Sequence, residues 1–254
     1  DLVFEAPAAG RAAEVQKRAA LEKQPFELDA ASVIVKNEKG ERFRLPKGPE
    51  AYDRPGPQGY PRALREVQSE RYLANFHGMF YEVPRIEGAN NHQPDYEKMK
   101  PVSRHDKAIS DYCSWRGLLV LTGVKPDAQP DGQVFTGAGT GLWFGAVDDV
   151  WKMGKPSGIG GPWKDSPVKA GEASDPYLMT GFDKKSLTLS HDLPQSLRMT
   201  VEVAIVPGEW QVYQTFDVPT GAPVNHVFPD GYQTYWVRLR ADRGCVATAV
   251  LRYE

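Results

Sequence analysis

The segment at residues 198–206, RMTVEVAIV, alternates apolar with polar residues, so Val201, Val203 and Ile205 would share one face of an extended strand. Similar segments lie on both sides of it between residues 187 and 254. They read LTLSH, EWQVYQTFDV, PVNHVFP, TYWVRLRA and VATAVLRYE. Short strands that follow one another without an intervening helical pattern predict a regular antiparallel sheet.

Upstream of this region the pattern is also that of strands. Residues 32–36 (SVIVK) and 41–45 (ERFRL) flank the polar segment NEKG, which predicts a hairpin. Residues 10–23 are the one good helical candidate, because they favour helix and Pro25 ends the pattern. Three further segments, bounded by Gly, Pro, Asn or Asp, predict core strands: residues 72–83, 114–122 and 141–147.

The composition agrees with strands joined by many turns, because 24 Gly and 21 Pro accompany 41% hydrophobic residues. We therefore predict an all-β chain of antiparallel sheets, organised as part of a β-propeller or as a β-sandwich, with one short N-terminal helix. The pattern becomes more regular after Ser186. Residues 1–186 are predicted to form a loop-rich β region that carries the candidate site, and residues 187–254 a regular antiparallel region.

The charges and apolar runs exclude two kinds of partner. Lys and Arg number 31 and Asp and Glu number 33, so the net charge is −2 and no basic block is present for nucleic acid. The apolar run GLLVLTGV is far shorter than the roughly 20 residues that cross a bilayer. Cys113 and Cys245 allow at most one disulfide, and the sequence does not decide whether they pair.

Residues 142–184 have the composition of a binding site. They contain Trp143, Trp151 and Trp163 with seven Gly and many charges, and no sustained periodicity. Aromatic faces beside polar groups suit a sugar ring, whose C–H faces stack while its hydroxyls form hydrogen bonds. Because Trp is also a common core residue, we expect at least one of the three to be structural. Trp151 and Trp163 are the candidates for stacking, and Asp149 is a candidate polar contact with the substrate.

The segment RYLANFHGMFYEVPR at residues 71–85 offers groups for acid–base chemistry. His77 and Tyr81 would share one face of a strand and lie about 13 Å apart, unless the chain bends at Gly78. One interpretation makes both residues members of an acid–base set, with Arg85 binding a substrate carboxylate. The alternative is a strand whose His and Tyr satisfy internal hydrogen bonds.

The segment RHDKAISDYCSWR at residues 104–116 is a second polar and aromatic cluster, placed where loops present functional groups at the start of a strand. His105 has the near-neutral pKa of a proton-transfer group, and the planar fork of Arg116 suits a carboxylate. The alternative is a network of ion pairs and hydrogen bonds that ties loops together.

Metal and cofactor motifs are weak or missing in the sequence. Asp148, Asp149 and Asp165 could ligate calcium, but no D-x-[DN]-x-[DN]-G loop supports that site. The five His show no zinc spacing, and neither a phosphate-binding loop nor a G-x-S-x-G nucleophile motif is present. We therefore expect that no cofactor is required.

Four segments carry a resemblance to a known family: YLANFHGMFYEVPR, SDYCSWRGLLVLTG, LWFGAVDDVWKMGKPSGIGGPWKD and SDPYLMTGFDKKSLTLSHD. Over most of its length the chain resembles the C-terminal part of a largely uncharacterised family of longer secreted proteins from environmental bacteria. The preceding region of those proteins looks like β-propeller blades. The resemblance implies a secreted or periplasmic location and a propeller-like fold that an N-terminal segment or a second chain completes. It implies no activity.

Two functions from different classes follow. The first is a secreted carbohydrate-active enzyme, a polysaccharide lyase or glycoside hydrolase that acts on a plant or algal-type polysaccharide. In that enzyme His77 or His105 would be the base, Tyr81 the proton donor, and Arg85 or Arg116 would hold the substrate. These residues are chosen by analogy with propeller-shaped enzymes of that kind. The second is a non-catalytic carbohydrate-binding or structural subunit of a larger propeller-like protein. In both, the expected partner is a polysaccharide or oligosaccharide.

Overall fold

The computed structural model of the chain describes residues 25–49, 52, 60–67, 71–86, 88, 93–105, 107, 109–124, 134–137 and 140–254. These residues form β-sheets that are antiparallel except for one parallel pairing, of Tyr177 with Arg44, and two short 3₁₀ helices, Tyr96–Lys98 and Val147–Lys152. The predicted all-β class is therefore confirmed. The predicted helix at residues 10–23 lies outside the described residues.

The strands of the described residues are short and are numbered in chain order. They are β1 Phe26–Leu28, β2 Val33–Lys36, β3 Arg42–Leu45, β4 Leu64–Val67, β5 Arg71–Phe76, β6 Met79–Val83, β7 Lys100–Arg104, β8 Asp111–Trp115, β9 Leu118–Val124, β10 Val134–Gly137, β11 Thr140–Gly145, β12 Gly158–Val168, β13 Tyr177–Leu178, β14 Lys185–His191, β15 Leu197–Ala204, β16 Trp210–Val218, β17 Val224–Val227, β18 Trp236–Ala241 and β19 Cys245–Tyr253.

Two of the sheets form a β-sandwich. The larger sheet has the order β1-β2-β3-β13-β18-β15-β16, and the smaller has the order β12-β19-β14-β17. Alternate residues of β14 and β19, such as Leu187 and Leu251, are buried together with Val201 and Leu239 of the larger sheet. This shared core follows from the period of two that the sequence shows after residue 187.

The hairpin predicted at residues 32–45 is confirmed, because β2 pairs antiparallel with β3 and Gly40 adopts a positive φ of 79° in the turn. The alternation predicted for residues 198–206 holds for Val201 and Val203 but not for Ile205. β15 ends at Ala204, and Ile205 in the following turn is 58% exposed. Because the chain turns directly after β15, Ile205 does not occupy a third buried position.

Two four-stranded sheets stack beside the sandwich. The sheet β4-β5-β6-β7 lies in the middle, since Ala74 and Tyr81 join the core of the sandwich while Leu73 and Phe80 join a smaller core. The sheet with the order β10-β11-β9-β8 forms the other wall of that smaller core, where Tyr112 packs edge-on against Phe80. Four antiparallel strands match the size of a propeller blade, but membership of a propeller stays a prediction.

Two segments predicted as single strands are hairpins. The strand predicted at residues 72–83 turns at His77-Gly78, where φ is 50° and 79°. The strand predicted at residues 114–122 turns at Arg116-Gly117, where φ is 49° and 83°. Positive φ at both central residues is typical of the two-residue type I′ turn that matches the twist of paired strands. Residues 142–184 also contain more regular structure than predicted, because β12 extends over Gly158–Val168.

Strand pairing links the two parts that were predicted to meet at residue 186. β12 pairs with β19 and β13 pairs with β18, and each pair joins one strand from either side of that position. The two parts also share the core of the sandwich. Their division into separate units stays a prediction.

Candidate functional site

His77 occupies a buried turn. Its side chain is 2% exposed, and its Nδ1 lies 3.1 Å from the carbonyl oxygen of Gly48, to which it donates. The backbone at Gly48 lies close to the backbone at His77, since a Cβ added to Gly48 would lie 2.0 Å from the carbonyl oxygen of His77. The ring also packs against Phe26, with centroids 6.4 Å apart. His77 therefore fastens the loop that contains Gly48 onto the β5–β6 hairpin.

His105 lies on the other side of the same turn. Its backbone N–H donates to the carbonyl of Gly78 at 2.9 Å, so the structure does bring His77 and His105 to one hairpin. The His105 ring is 2% exposed, with Nε2 at 2.9 Å from Oδ1 of Asn75 and Nδ1 at 3.1 Å from the carbonyl oxygen of Lys107. Both ring nitrogens have internal partners.

Tyr81 is fully buried and faces away from His105. Tyr81 packs on Phe76 in the larger core, while the ring of the adjacent Phe80 contacts that of His105 at a tilt of 43°, with centroids 4.7 Å apart. The burial of all three side chains, together with the internal hydrogen bonds of His77 Nδ1 and of both His105 ring nitrogens, favours structural roles. Their catalytic roles stay predictions.

The predicted substrate-binding arginines belong to two different sheets. Arg85 follows the far end of β6 and its guanidinium is 3.8 Å from a carboxylate oxygen of Glu66. Arg116 is exposed at the tip of the β8–β9 hairpin, where its guanidinium lies over the ring of Trp115 at 5.0 Å. The five residues of β6 separate the turn at His77 from Arg85, which corresponds to roughly 16 Å at ~3.3 Å per residue.

The two tryptophans that were predicted to stack on a sugar ring also lie in different parts of the structure. Trp151 is 40% exposed on the 3₁₀ helix after β11, whereas Trp163 is 7% exposed and packs in the core of the sandwich. Burial removes Trp163 from contact with a ligand and favours a structural role. The carboxylate of Asp149 accepts hydrogen bonds from the backbone N–H of Ala146 and from Lys152, both at 2.8 Å. Asp149 therefore caps its own helix.

A different group of aromatic side chains meets at the open edge of the sandwich. This group comprises Tyr213 of β16, His226 of β17, Phe228 and Tyr232, with ring centroids 4.9 to 5.7 Å apart along its contacts. The hydroxyl of Tyr213 lies 2.9 Å from Nε2 of His226. Phe228 is buried, and the other three side chains are half-buried.

An open pocket of about 330 Å³ lies next to this group and shares one residue with it, Phe228. The pair Ser186 and Val227 places the pocket on the outer face of the smaller sheet, whereas the neighbouring pair Leu187 and His226 is on the side of the core. The other lining residues of the pocket lie at the start of β14, the loop after β17 and the end of β19. They are Lys184, Lys185, Ser186, Val227, Asp230, Arg252 and Glu254. We call the four aromatic residues and this pocket together the sandwich cleft.

The charged groups of the sandwich cleft divide into two kinds. The ammonium group of Lys185 is buried and donates to the carbonyl oxygens of Phe182 and Tyr232, so it stabilises the structure beneath the cleft. Within the described part of the chain, the side chains of Lys184, Arg252 and Asp230 form no ion pair or hydrogen bond, and all three are exposed. They are free to contact a ligand.

Burial shifts the pKa of four groups in the sandwich cleft. It lowers the pKa of His226, and it lowers the pKa of Lys185 against the opposing attraction of Asp183. It raises the pKa of Tyr213 and of Tyr232. A neutral His226 ring can accept the hydroxyl proton of Tyr213 in a hydrogen bond, because neutral imidazole has one free lone pair. The cleft thus keeps uncharged polar groups beside aromatic faces.

Sequence reasoning missed this cleft. Tyr213 and His226 lie on strands from two different sheets, and only the closure of the sandwich brings them together. The sequence feature that could have indicated the cleft is the close spacing of His226, Phe228 and Tyr232. An analysis of strand periodicity treats this segment only as a connection between strands.

No group of three or more His, Cys, Asp or Glu side chains in the described residues is placed to hold a metal ion. Asp149 and Asp165 belong to different elements, the 3₁₀ helix after β11 and strand β12. Cys113 and Cys245 are free thiols, and burial raises the pKa of Cys245. Among the described helices, none is long and apolar enough to span a membrane.

No family model matches the chain, and no curated protein is similar to it. Among solved structures, the chain is similar to a glycoside hydrolase family 43 arabinoxylan arabinofuranohydrolase from Bacillus subtilis in complex with cellotetraose. The identity is 10%, the match covers 79% of this chain and 57% of that chain, and the TM-score is 0.18. A TM-score of this size supports no argument about fold or function.

Proposed function

We propose that this chain binds oligosaccharide in the sandwich cleft without cleaving it. The observation that carries the proposal is the cluster of aromatic rings at the edge of the sandwich, beside a pocket of about 330 Å³ whose lining includes the exposed side chains of Lys184 and Arg252. Sugar recognition needs flat apolar faces together with a few fixed polar groups, and the cleft supplies both. The proposal corresponds to the binding-module alternative from the sequence.

The arrangement supports binding better than catalysis. Tyr232 offers a half-buried ring, and the Tyr213 hydroxyl beside His226 offers a polar group fixed by a hydrogen bond. Lys184 and Arg252 can donate to sugar hydroxyls or carboxylates. By contrast, the His77 and His105 rings are each 2% exposed, so a substrate cannot approach them in this conformation.

The test is isothermal titration calorimetry with short neutral and uronate-containing oligosaccharides. We expect Tyr232→Ala to weaken binding about tenfold, equivalent to about 1.4 kcal/mol, through loss of a stacking surface. Lys184→Met and Arg252→Met should weaken binding without affecting the fold, because both side chains are exposed. Trp151→Ala is the matched control, since it removes an exposed aromatic ring outside the cleft.

Two results would contradict the proposal. Weakening by Trp151→Ala but not by Tyr232→Ala would move the site to the region predicted from sequence. Release of new reducing ends or unsaturated uronates from the same oligosaccharides would show an enzyme. Urea unfolding of each variant separates loss of binding from loss of structure.

A further inference from the structure

Arg252 differs from every other arginine of the described residues, because its side chain forms no ion pair, hydrogen bond or aromatic contact within them. Most of the other arginines form ion pairs with Asp or Glu. Arg104 donates to the backbone carbonyl of Ser157, and Arg116 lies over the ring of Trp115. Because Arg252 is exposed and lines the pocket of the sandwich cleft, its guanidinium is open to a ligand there.

The register of the smaller sheet explains why Arg252 has no carboxylate partner. Arg252 lies directly opposite Ser186 of β14 on one side and opposite Ile159 of β12 on the other. Directly opposite residues are the closest neighbours on a sheet face, with Cβ atoms about 4.5–5.5 Å apart. Neither of these two neighbours is charged, so the positive charge of Arg252 is not compensated across the strands.

Lys184 is a second cation on the same outer face. Lys185 and Tyr253 are buried, so the adjoining Lys184 and Arg252 lie on the opposite side of the sheet. Lys184 exchanges two backbone hydrogen bonds of 3.0 Å with Glu254 and is therefore a diagonal neighbour of Arg252, at a spacing of roughly 7–8 Å. Two long side chains at that spacing can both reach one ligand group between them.

The formal charges of the pocket lining favour an anionic ligand group. The lining contains Lys184, Lys185 and Arg252 against Asp230 and Glu254. Glu254 lies opposite Lys184, whereas no carboxylate lies opposite Arg252. The planar guanidinium fork binds a carboxylate through two parallel hydrogen bonds, which a single hydroxyl group cannot accept in the same way. The pocket therefore suits a sugar that carries a carboxylate better than its neutral counterpart.

We propose that the ligand of the sandwich cleft is a uronate-containing oligosaccharide, whose carboxylate binds the guanidinium of Arg252 through two hydrogen bonds and also contacts Lys184. This inference rests on the proposed function, because it names the class of sugar that the same cleft binds. The carboxylates of Asp230 and Glu254 accept hydrogen bonds from the hydroxyl groups of the sugar.

Isothermal titration calorimetry with matched ligands tests the proposal. Uronate trisaccharides, including those of galacturonate and glucuronate, are each compared with the same trisaccharide after reduction of its carboxyl groups to primary alcohols. We expect the uronate form to bind about tenfold more tightly at low salt, because hydrogen bonds to charged groups are stronger than neutral ones by about that factor. The preference should decrease as salt increases, because exposed charges are screened.

Variants of the pocket locate the group that causes the preference. Arg252→Gln should lower the affinity for the uronate form about tenfold and affect the reduced form less. Arg252→Lys keeps the charge without the planar fork, so it should retain part of the preference. Arg198→Gln is the matched control, since it also removes one exposed arginine charge but lies on β15 of the larger sheet. Tyr232→Ala should weaken both forms equally, because it removes a ring and no charge.

Equal binding of the two forms, weakened by Tyr232→Ala, would overturn the uronate inference and leave the proposed binding function in place. A preference for uronate that Arg252→Gln leaves unchanged, or that Arg198→Gln reduces to the same extent, would also overturn the inference. Absence of binding to both forms of every trisaccharide would overturn the inference and the proposed function together. Urea unfolding identifies any variant that fails to fold, and Arg252→Lys decides the outcome if Arg252→Gln is unstable.

Discussion

The β5–β6 and β8–β9 hairpins use nearly the same turn in opposite surroundings. His77-Gly78 and Arg116-Gly117 have φ values of 50° and 79° in the first and 49° and 83° in the second. A Cβ on Gly78 would lie 2.5 Å from the ring of Tyr52, whereas nothing lies within 4 Å of that position on Gly117. In both hairpins the twist of the paired strands favours this type of turn. Whether other side chains then cover the turn depends on tertiary packing, not on the turn itself.

The largest effect is expected from Gly48→Ala, which adds a methyl group against the covered turn. The new Cβ would lie 2.0 Å from the carbonyl oxygen of His77, so one of the two backbone segments must move. We expect a loss of at least about 3 kcal/mol in the free energy of unfolding, because overpacking against backbone cannot be relieved by a rotamer change. Urea unfolding measures it.

Gly117→Ala is the control for that experiment. It meets open space, and its cost comes from the positive φ of 83°, which disfavours a Cβ by about 1–2 kcal/mol. Equal losses for Gly48→Ala and Gly117→Ala would show that the first turn is not held by close packing.

A smaller effect is expected from His77→Asn. Asn tolerates positive φ, so the turn itself is retained, but the shorter side chain loses the Nδ1 hydrogen bond to the half-buried carbonyl of Gly48. We expect a loss of about 2 kcal/mol in the free energy of unfolding, the usual cost of leaving such a group unpaired. Oligosaccharide affinity should stay unchanged. A variant that keeps full stability but loses affinity would instead place His77 in a binding site.

The sequence predicts the strands well where one face is buried and the other is exposed, as in β14, β15 and β19. It fails at His77-Gly78 and Arg116-Gly117, because His and Arg are not usual first residues of a type I′ turn and the flanking residues are apolar on both sides. The sequence does not predict the candidate site, for a different reason. Tyr213 and His226 meet across the edges of two sheets. The periodicity of a strand shows which of its faces is buried, but it does not show which sheet edges pack together.

The smallest effect is expected from Arg116→Asn at the exposed turn. Asn-Gly is the preferred pair for a type I′ turn, which favours the variant. The variant also loses the guanidinium over Trp115, a contact worth about 0.5–1 kcal/mol at an exposed site. Because the two contributions oppose each other, we expect the free energy of unfolding to stay within about 0.5 kcal/mol of the original value. Urea unfolding of Arg116→Asn beside His77→Asn then compares one substitution in both turns, and a similar loss in each would mean that solvent exposure does not distinguish them.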